Sequence, residues 1–209
     1  MSPTFKRARG EQEKAMRVEQ IIEKTLELYK TIGYDKITFS EIAKGMDFSR
    51  INLYHYFDSK EDIFLEITRR ESEAFLSDVR ETFTGEKRDA DQFVQTWADL
   101  ILRHARVVEL YVLLNAAVLR NISGEKHRAF QAYLDKVFLE TSYPVAQNFP
   151  TMSEKTALQF SLFEIYYAMG LMPITNRQKE AGIHSNTDDL DFHERYIAFL
   201  SVVLKGLLQ

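Results

Sequence analysis

The sequence predicts an all-α protein with two domains. Its 209 residues include only 8 Gly and 4 Pro, and strand-like alternation bounded by turn residues is scarce. Apolar residues instead recur at steps of three and four, and a hydrophobic content of 45% is enough for a sizeable core. We expect about nine helices in total. They form an N-terminal domain over residues 1–58 and a C-terminal domain over 59–209, with the helix 59–83 bridging the two.

The N-terminal domain begins with a predicted flexible arm over residues 1–10, which carry three basic residues and no apolar face. Apolar residues at helical spacing then predict a first helix from about Glu11 to Thr31. Gly33 follows as a stop residue, because glycine adopts the left-handed conformation that ends many helices.

Two short helices around a tight turn are predicted over residues 38–57. Thr38 and Glu41 form a capping box, which places a helix start there. Gly45 and Asp47 interrupt the apolar pattern because both residue types tolerate a positive φ, and Ser49 is the next cap candidate. The second helix is predicted to turn its apolar side toward the first through Phe48, Leu53 and Phe57.

The C-terminal domain follows the bridging helix, whose start is marked by Ser59 with Asp62. A polar break at 84–88 is the predicted hinge into this domain. Two consecutive helices are expected over 89–119. Further helices are predicted over about 125–143, 151–173 and 187–208, with a polar loop at 174–186. Pro144 is expected to disturb the first of these three, and Pro173 to end the second.

The outward residues of the second short helix suit contact with DNA. Two helices joined by a three- or four-residue turn let the second helix enter a major groove. Arg50 matches guanine with a fork of donors, Asn52 matches adenine, and Ile51 fits a thymine methyl group. Tyr54 and His55 are candidates for phosphates or base edges. On this motif alone, a generic helical hairpin displaying the same residues stays open.

The flanking sequence narrows these alternatives. The run Leu53-Tyr54-His55-Tyr56-Phe57, followed by Ser59-Lys60-Glu61, is the most specific part of a pattern that extends from about Arg17 to Phe64. This pattern resembles the N-terminal DNA-binding domain of the tetracycline-repressor (TetR) family. The resemblance implies a three-helix DNA-binding unit and a C-terminal domain that binds an effector and dimerises.

The resemblance has departures and one further implication. Asp47 stands where the family usually has Gly, and Ile51-Asn52 stands where it commonly has Gly-Thr, so the operator of other members cannot be carried over. Lys60 lies in a first helical turn, where the helix dipole disfavours a cation, and a DNA phosphate would supply its partner. The full set of predicted DNA-binding residues is Thr38, Ser49, Arg50, Ile51, Asn52, Tyr54, His55 and Lys60.

The charge distribution agrees with this set only weakly. The whole chain carries −4, but residues 1–60 hold 11 Lys or Arg against 9 Asp or Glu, and the remainder holds 16 against 22. The positive part carries the motif. A basic patch for phosphates and an ordinary solvated mixture of charges are both open for Lys6, Arg7, Arg9, Lys36, Arg50 and Lys60.

The last two helices carry more apolar residues than one core-facing stripe needs. A twofold partner would bury the excess in a four-helix interface, as the resemblance also implies, while burial within one chain stays open. Such a dimer places two recognition helices roughly 34–36 Å apart, which matches a palindromic operator. The predicted interface residues are Phe160, Phe163, Tyr167, Phe192, Tyr196, Phe199, Leu200 and Val203.

An effector pocket is the remaining expectation from the resemblance. Apolar walls with a few polar groups are what such a pocket requires. Each residue taken singly also suits an ordinary core. The predicted lining residues, on the helices that enclose the cavity in the family, are Trp97, Tyr111, Asn115, Tyr133, Phe138, Phe163 and Tyr166.

No catalytic or metal-binding motif stands out. The chain has no Cys, no phosphate-cradling Gly loop, no His-Glu-x-x-His pair and no Gly-x-Ser-x-Gly elbow, so neither an enzyme nor a cofactor is expected. Asp189 and His193 have a spacing that suits a shared metal, although acids in a first turn usually complement the helix dipole. His104, His127 and His184 are expected to be ordinary surface or core residues.

We therefore predict a cytoplasmic bacterial regulator of the TetR type. The sequence shows no apolar signal-peptide core and no run of eighteen apolar residues, so no membrane partner is expected. Its expected partners are double-stranded DNA with a palindromic operator, a second copy of itself, and a small-molecule effector that releases it from DNA as a repressor. The alternative is a helical protein-interaction or scaffold module that does not read DNA.

Overall fold

The computed structural model describes residues 3–46, 49–182 and 191–209, with the side chains of residues 3–10 excepted. Within these ranges it contains nine α-helices and no strand, as predicted. Short 3-10 helices lie at Tyr34–Lys36 and Val118–Asn121. The α-helices are α1 Pro3–Ile32, α2 Phe39–Ala43, α3 Arg50–Leu53, α4 Lys60–Thr82, α5 Ala90–Arg103, α6 Ala105–Ala116, α7 Gly124–Asn148, α8 Glu154–Ala181 and α9 Phe192–Leu207.

The chain forms two compact units, Met1–Ile67 and Thr68–Gln209. The boundary between them lies within α4 rather than at residue 58, so this helix contributes to both units. The predicted hinge at 84–88 lies inside the second unit. There the Asn148 side chain accepts a bond from the Arg88 N–H and donates one to the Arg88 carbonyl, both at 2.9 Å. The polar break is therefore a loop bonded to α7.

The first unit is built around a small apolar core. Its fully buried side chains include Ile21 of α1, Ile42 of α2, Leu53 of α3 and Ile63 of α4. Thr38 caps α2, since its hydroxyl accepts a 3.2 Å bond from the Glu41 N–H. The predicted capping box is only half formed, because the Glu41 carboxylate bonds to Lys44 instead. Each of the short helices α2 and α3 places an apolar residue in this core, and this packing holds them together.

Helix α1 begins earlier than predicted. It starts at Pro3, so the segment expected to be a flexible arm is helical over residues 3–10. Proline suits the first helical position, where its missing N–H has no partner to lose. The Lys, Arg, Ala, Gln and Glu residues that follow are strong helix formers. The prediction of an arm rested on Pro3, Gly10 and the lack of an apolar face, and it missed a helix that propensity favours.

Helices α7 and α8 continue through prolines that were expected to disturb or end them. Pro144 lies inside α7 and Pro173 inside α8. The two helices pack against each other, and Pro144 is itself buried. Burial offsets the missing hydrogen bond at Pro144, whereas at the exposed Pro173 only the packing of α8 against α7 can do so. Residues 174–181 of the predicted loop are consequently helical, and Gly182, at φ 62°, ends α8.

The described segment that contains the last helix begins at Asp191. Asp191 caps this helix, and it forms a capping box with Glu194. Residues 183–190, which include the predicted start, lie outside the described residues.

An aromatic cluster forms the core of the second unit. Trp97 and Phe93 of α5 stack at 5.5 Å between ring centroids, and Phe160 of α8 meets both rings edge-on. Phe83 and Phe149 extend the cluster. All three central residues are fully buried, so the cluster joins α5 to α8 without contact with water.

Among the described residues of this unit, one carboxyl group is buried. Glu164 of α8 is 2% exposed, and the Tyr196 hydroxyl of α9 donates a hydrogen bond to it. Burial raises the pKa of Glu164 to about 8, although Tyr196 and the Trp97 indole partly offset the effect. The Trp97 N–H itself has no hydrogen-bond partner among the described residues. Glu164 is therefore neutral at neutral pH.

The buried Glu164 makes stability depend on pH. Glutamate in the unfolded chain ionises near pH 4.5, and the folded protein retains the proton up to about pH 8. Over that interval the folded state binds the extra proton, so the free energy of unfolding falls as pH rises. Glu164→Gln keeps the shape and still accepts from Tyr196. We expect the free energy of unfolding of the wild type, measured with urea, to fall by a few kcal/mol between about pH 5 and 8. This decline should be absent in the variant.

The matched control is Glu109→Gln, which changes an exposed glutamate on α6. It should leave the pH profile of the wild type unchanged. Parallel profiles for Glu164→Gln and wild type would contradict the assignment of a neutral buried carboxyl.

Candidate DNA-binding surface and candidate effector site

Helix α3 presents its polar side outward. Leu53 is fully buried, whereas the three residues before it, Arg50, Ile51 and Asn52, are exposed, and Ile51 keeps 73% of its surface. An apolar side chain that is this exposed has no role in the core of its own unit. Arg50, Ile51 and Asn52 therefore form one outward face, which we call the reading face.

The helix is shorter than the predicted run to Phe57. Residues 54–56 continue as turns, in which the His55 N–H bonds to the Asn52 carbonyl at 3.2 Å and the Tyr56 N–H to the Leu53 carbonyl at 2.9 Å. Ser49 occupies the cap position, but its side chain makes no capping bond. Asp47 and Phe48 lie outside the described residues. His55 is exposed beside the reading face.

Tyr54 holds the Arg50 side chain. The Arg50 guanidinium donates a 3.3 Å bond to the Tyr54 hydroxyl. The Tyr54 ring in turn packs on Phe39 of α2 at 4.7 Å between centroids. A guanidinium has five N–H donors, so one bond to Tyr54 leaves donors for a base or a phosphate. This contact reduces the freedom of Arg50 before any ligand binds.

Lys60 has a partner that the sequence did not reveal. Its ammonium donates a 3.0 Å bond to the Tyr34 carbonyl and lies 4.1 Å from the centre of the Tyr34 ring. The Tyr34 hydroxyl donates a 2.8 Å bond to Glu61. Lys60 therefore does not need a DNA phosphate to satisfy its charge, as the helix-dipole argument had assumed. An ammonium with three donors keeps capacity for a phosphate as well.

Four of the eight predicted DNA-binding residues line one open depression of about 520 Å³: Thr38, Arg50, Tyr54 and Lys60. Two carboxylates, Asp35 and Asp58, belong to the same lining and moderate its positive charge. No spacing in the sequence indicated these two acids, because their position depends on how the helices pack. The depression provides hydroxyl and cationic donors beside the reading face, which is the combination that binds phosphate.

The predicted effector residues lie at separate places in the second unit rather than around one pocket. Trp97 lies in the aromatic cluster, while Tyr111 and Phe138 meet edge-on at 6.0 Å elsewhere in the unit. Asn115 is exposed and donates a 2.9 Å bond to the Tyr111 carbonyl. The Tyr133 hydroxyl donates a 3.0 Å bond to the Arg69 carbonyl.

Two of the predicted pocket residues are on the outside. Phe163 is 44% exposed and Tyr166 59% exposed, so neither lines an interior pocket in this structure. Glu164 and Ile165 take the inward positions on the same turn of α8. Helical spacing could not separate the two faces, because both are rich in apolar residues.

The predicted interface set also needs correction, because three of its residues are buried rather than exposed. Phe160, Tyr196 and Leu200 are fully buried within one chain, so a partner cannot contact their side chains. Tyr167, Phe192, Phe199 and Val203 are partly exposed, and Tyr167 stacks on Phe199 with 3.8 Å between centroids. The sequence analysis missed Val202, which keeps 73% of its surface.

Two of the histidines pair with aspartates. His104 lies 2.8 Å from Asp78, and this hydrogen bond holds the pKa of Asp78 below its usual value. His193 lies 2.9 Å from Asp99, whereas Asp189 is outside the described residues. His127 is exposed, and His184 is also outside. In the part of the chain that is described, no three His, Asp or Glu side chains come together as a metal site.

Membrane insertion finds no support among the described helices, since none combines the length and the apolar character that a span requires.

Comparison with known proteins assigns both units. Residues 21–67 match the family described as bacterial regulatory proteins, tetR family, and residues 69–209 match the tetracyclin repressor-like C-terminal domain. The biofilm operon icaADBC negative transcriptional regulator IcaR of Staphylococcus aureus (strain Newman) is 37% identical over 46 residues. That match covers 22% of this chain and 25% of IcaR, so the chain spans about a quarter of the length of the curated relatives it matches.

Two solved structures have a similar fold. FadR from Thermus thermophilus, described as a TetR family transcriptional repressor in complex with lauroyl-CoA, has a TM-score of 0.61 and 20% identity, covering 92% of this chain and 95% of FadR. FadR from Bacillus subtilis, in complex with stearoyl-CoA, has a TM-score of 0.57 and 20% identity, covering 91% of this chain and 97% of that protein. With family matches to both units, this chain belongs to the TetR family and is a helix-turn-helix transcriptional regulator.

Proposed function

We propose that this regulator is a repressor that binds a palindromic operator as a homodimer and leaves it when a small molecule binds the second unit. The reading face carries this proposal. Arg50, Ile51 and Asn52 are exposed together, and the buried Leu53 anchors them. Each residue type matches a different base edge, and the adjoining depression offers donors to phosphates.

Repression and effector release are supported by the relatives. IcaR is named a negative regulator, and its match to this chain is local. Both FadR structures hold an acyl-CoA, and both share the fold of this chain. A small molecule bound in the second unit is therefore our proposal for release. Such coupling is typically worth about 1–3 kcal/mol, a five- to 150-fold change in operator affinity.

A homodimer is supported by apolar surface that one chain leaves in water. An added Cβ at Gly170 or Gly206 would have open space around it, so a partner helix could approach closely. This surface would complete a four-helix interface between two copies. Its residues follow helical spacing, with Phe163, Tyr166, Gly170 and Ile174 on α8 and Ala198, Val202 and Gly206 on α9.

The competing function is a helical interaction or scaffold module. Selection from random DNA duplexes separates the two, since a regulator enriches one palindromic sequence and a scaffold enriches none. Failure to enrich any sequence would reject the proposal.

The reading face should determine base preference. With the selected operator, we expect Arg50→Ala and Asn52→Ala each to cost roughly 1–3 kcal/mol of binding free energy and to relax the preference at one position per half-site. Fluorescence anisotropy with a panel of single-base operator variants measures both effects. Arg103→Ala, at an exposed arginine of α5, is the control that should bind like wild type. Unchanged affinity in both reading-face variants would show that another surface reads the DNA.

Lys60 should contribute equally to the binding affinity for every DNA sequence. Lys60→Met keeps most of the aliphatic stem on Tyr34 but removes the charge. We expect operator and random duplex to lose affinity by the same factor, and the slope of log affinity against log salt to become shallower by about one. Lys136→Met changes an exposed lysine of α7 and should keep the wild-type slope. A loss confined to the operator would argue against a phosphate contact.

The apolar surface should hold the dimer. Val202→Asp introduces a charge at a position that is 73% exposed in one chain, so the single chain should fold normally. In a dimer the same charge would be buried without a partner. Sedimentation velocity at micromolar concentration should show a dimer for wild type and a monomer for the variant. Leu139→Asp, on an α7 residue that is 42% exposed, is the control. A monomeric wild type would rule out the homodimer.

A further inference from the structure

Arg69 of α4 lies in unusual surroundings for an arginine. It is half-buried, and its guanidinium carbon is 4.6 Å from the centre of the Tyr133 ring and 5.4 Å from the centre of the Phe130 ring, both on α7. The two rings replace part of the water around the cation. A guanidinium stacked on aromatic rings keeps its full charge and its fork of donors.

No carboxylate neutralises this cation. Among the described residues, no Asp or Glu oxygen lies within 4.0 Å of the Arg69 guanidinium. Other arginines at α4 are paired. Arg80 contacts Glu140, and Arg106 lies 2.8 Å from Glu71. Glu73 and Glu140 are near enough to Tyr133 to act on its hydroxyl, yet neither forms an ion pair with Arg69. Arg69 therefore carries a positive charge that no described carboxylate pairs with, at a position from which water is partly excluded.

Hydroxyl groups complete the surroundings. The Tyr133 hydroxyl bonds to the Arg69 carbonyl at 3.0 Å, which fixes the Tyr133 ring relative to α4. On the next turn of α4, the buried Ser72 hydroxyl lies 2.9 Å from the Tyr111 hydroxyl. Burial raises the pKa of both Tyr111 and Tyr133, so both phenols stay neutral and add no charge beside Arg69. A cation beside neutral groups favours an anion over a neutral or cationic group.

We propose that Arg69 binds the anionic head group, a carboxylate or a phosphate, of an effector whose apolar part contacts the partly exposed Tyr133 and Phe138. This inference rests on the proposed effector role and narrows it to organic anions. The guanidinium fork matches two oxygens of either head group. Arg69 lies on the helix that both units share, so an anion bound here acts on α4 itself.

The test uses the full-length protein and four compounds with one dodecyl chain: dodecanoate, dodecyl phosphate, dodecanol and dodecyltrimethylammonium. Isothermal titration calorimetry below the micelle concentration measures affinity. Wild type should bind at least one anion ten times or more tightly than dodecanol or the ammonium compound, and the better anion identifies the head group. Arg69→Met should weaken that anion at least tenfold and leave dodecanol unchanged. Arg69→Lys, which keeps the charge without the planar fork, should fall between the two.

Arg106→Met is the matched control, because it removes another half-buried arginine that contacts α4. It should bind the anion within twofold of wild type. If Arg69→Met does not fold, Arg69→Lys decides, and a loss of threefold or more supports the proposal. Equal binding of dodecanol and the anions, or wild-type affinity in the Arg69 variants, overturns the anion site while the effector role stands. If no compound binds wild type, the anion site fails, whereas the effector role in general and operator binding are measured independently.

Discussion

The burial of Leu53 is the contact on which the proposed DNA-binding surface depends. Helix α3 has only four residues, far too few to be stable alone, so its orientation comes from packing. One inward side chain leaves Arg50, Ile51 and Asn52 outward. Phe39 supports the arrangement from α2 through the Tyr54 ring, which in turn holds Arg50. A change that loosened this core would weaken DNA binding without touching a contact residue.

Local sequence patterns correctly predicted the features that depend on residues close by in the chain. Thr38 and Ser59 cap their helices at the predicted positions, although Glu41 does not complete the capping box, and the outward face of α3 is correct. Elements set by tertiary packing were predicted less well. Packing between α7 and α8 accompanies their continuation through the prolines, and Lys60 finds a partner in a carbonyl that is far away in sequence. No spacing rule identifies such a partner.

In the second unit, apolar spacing did not show which side of a helix faces the core. The core contains Phe160, Tyr196 and Leu200, whereas Phe163 and Tyr166 are exposed. All five belong to the same pattern of apolar residues at helical spacing along α8 and α9. Glu164 could have been noticed, because it is a lone acid within a long apolar run. Its bond to Tyr196 places a polar contact at the α8–α9 junction, and such a contact favours one packing arrangement over slipped alternatives.

Trp97 gives the molecule a built-in spectroscopic probe. It is the one tryptophan in the sequence, and it is fully buried in the aromatic cluster of the second unit. Its emission therefore reports on that unit alone, whereas circular dichroism reports on helices throughout the chain. Where the two measurements follow different denaturation curves, the units lose structure separately. Where the curves coincide, unfolding is cooperative across α4.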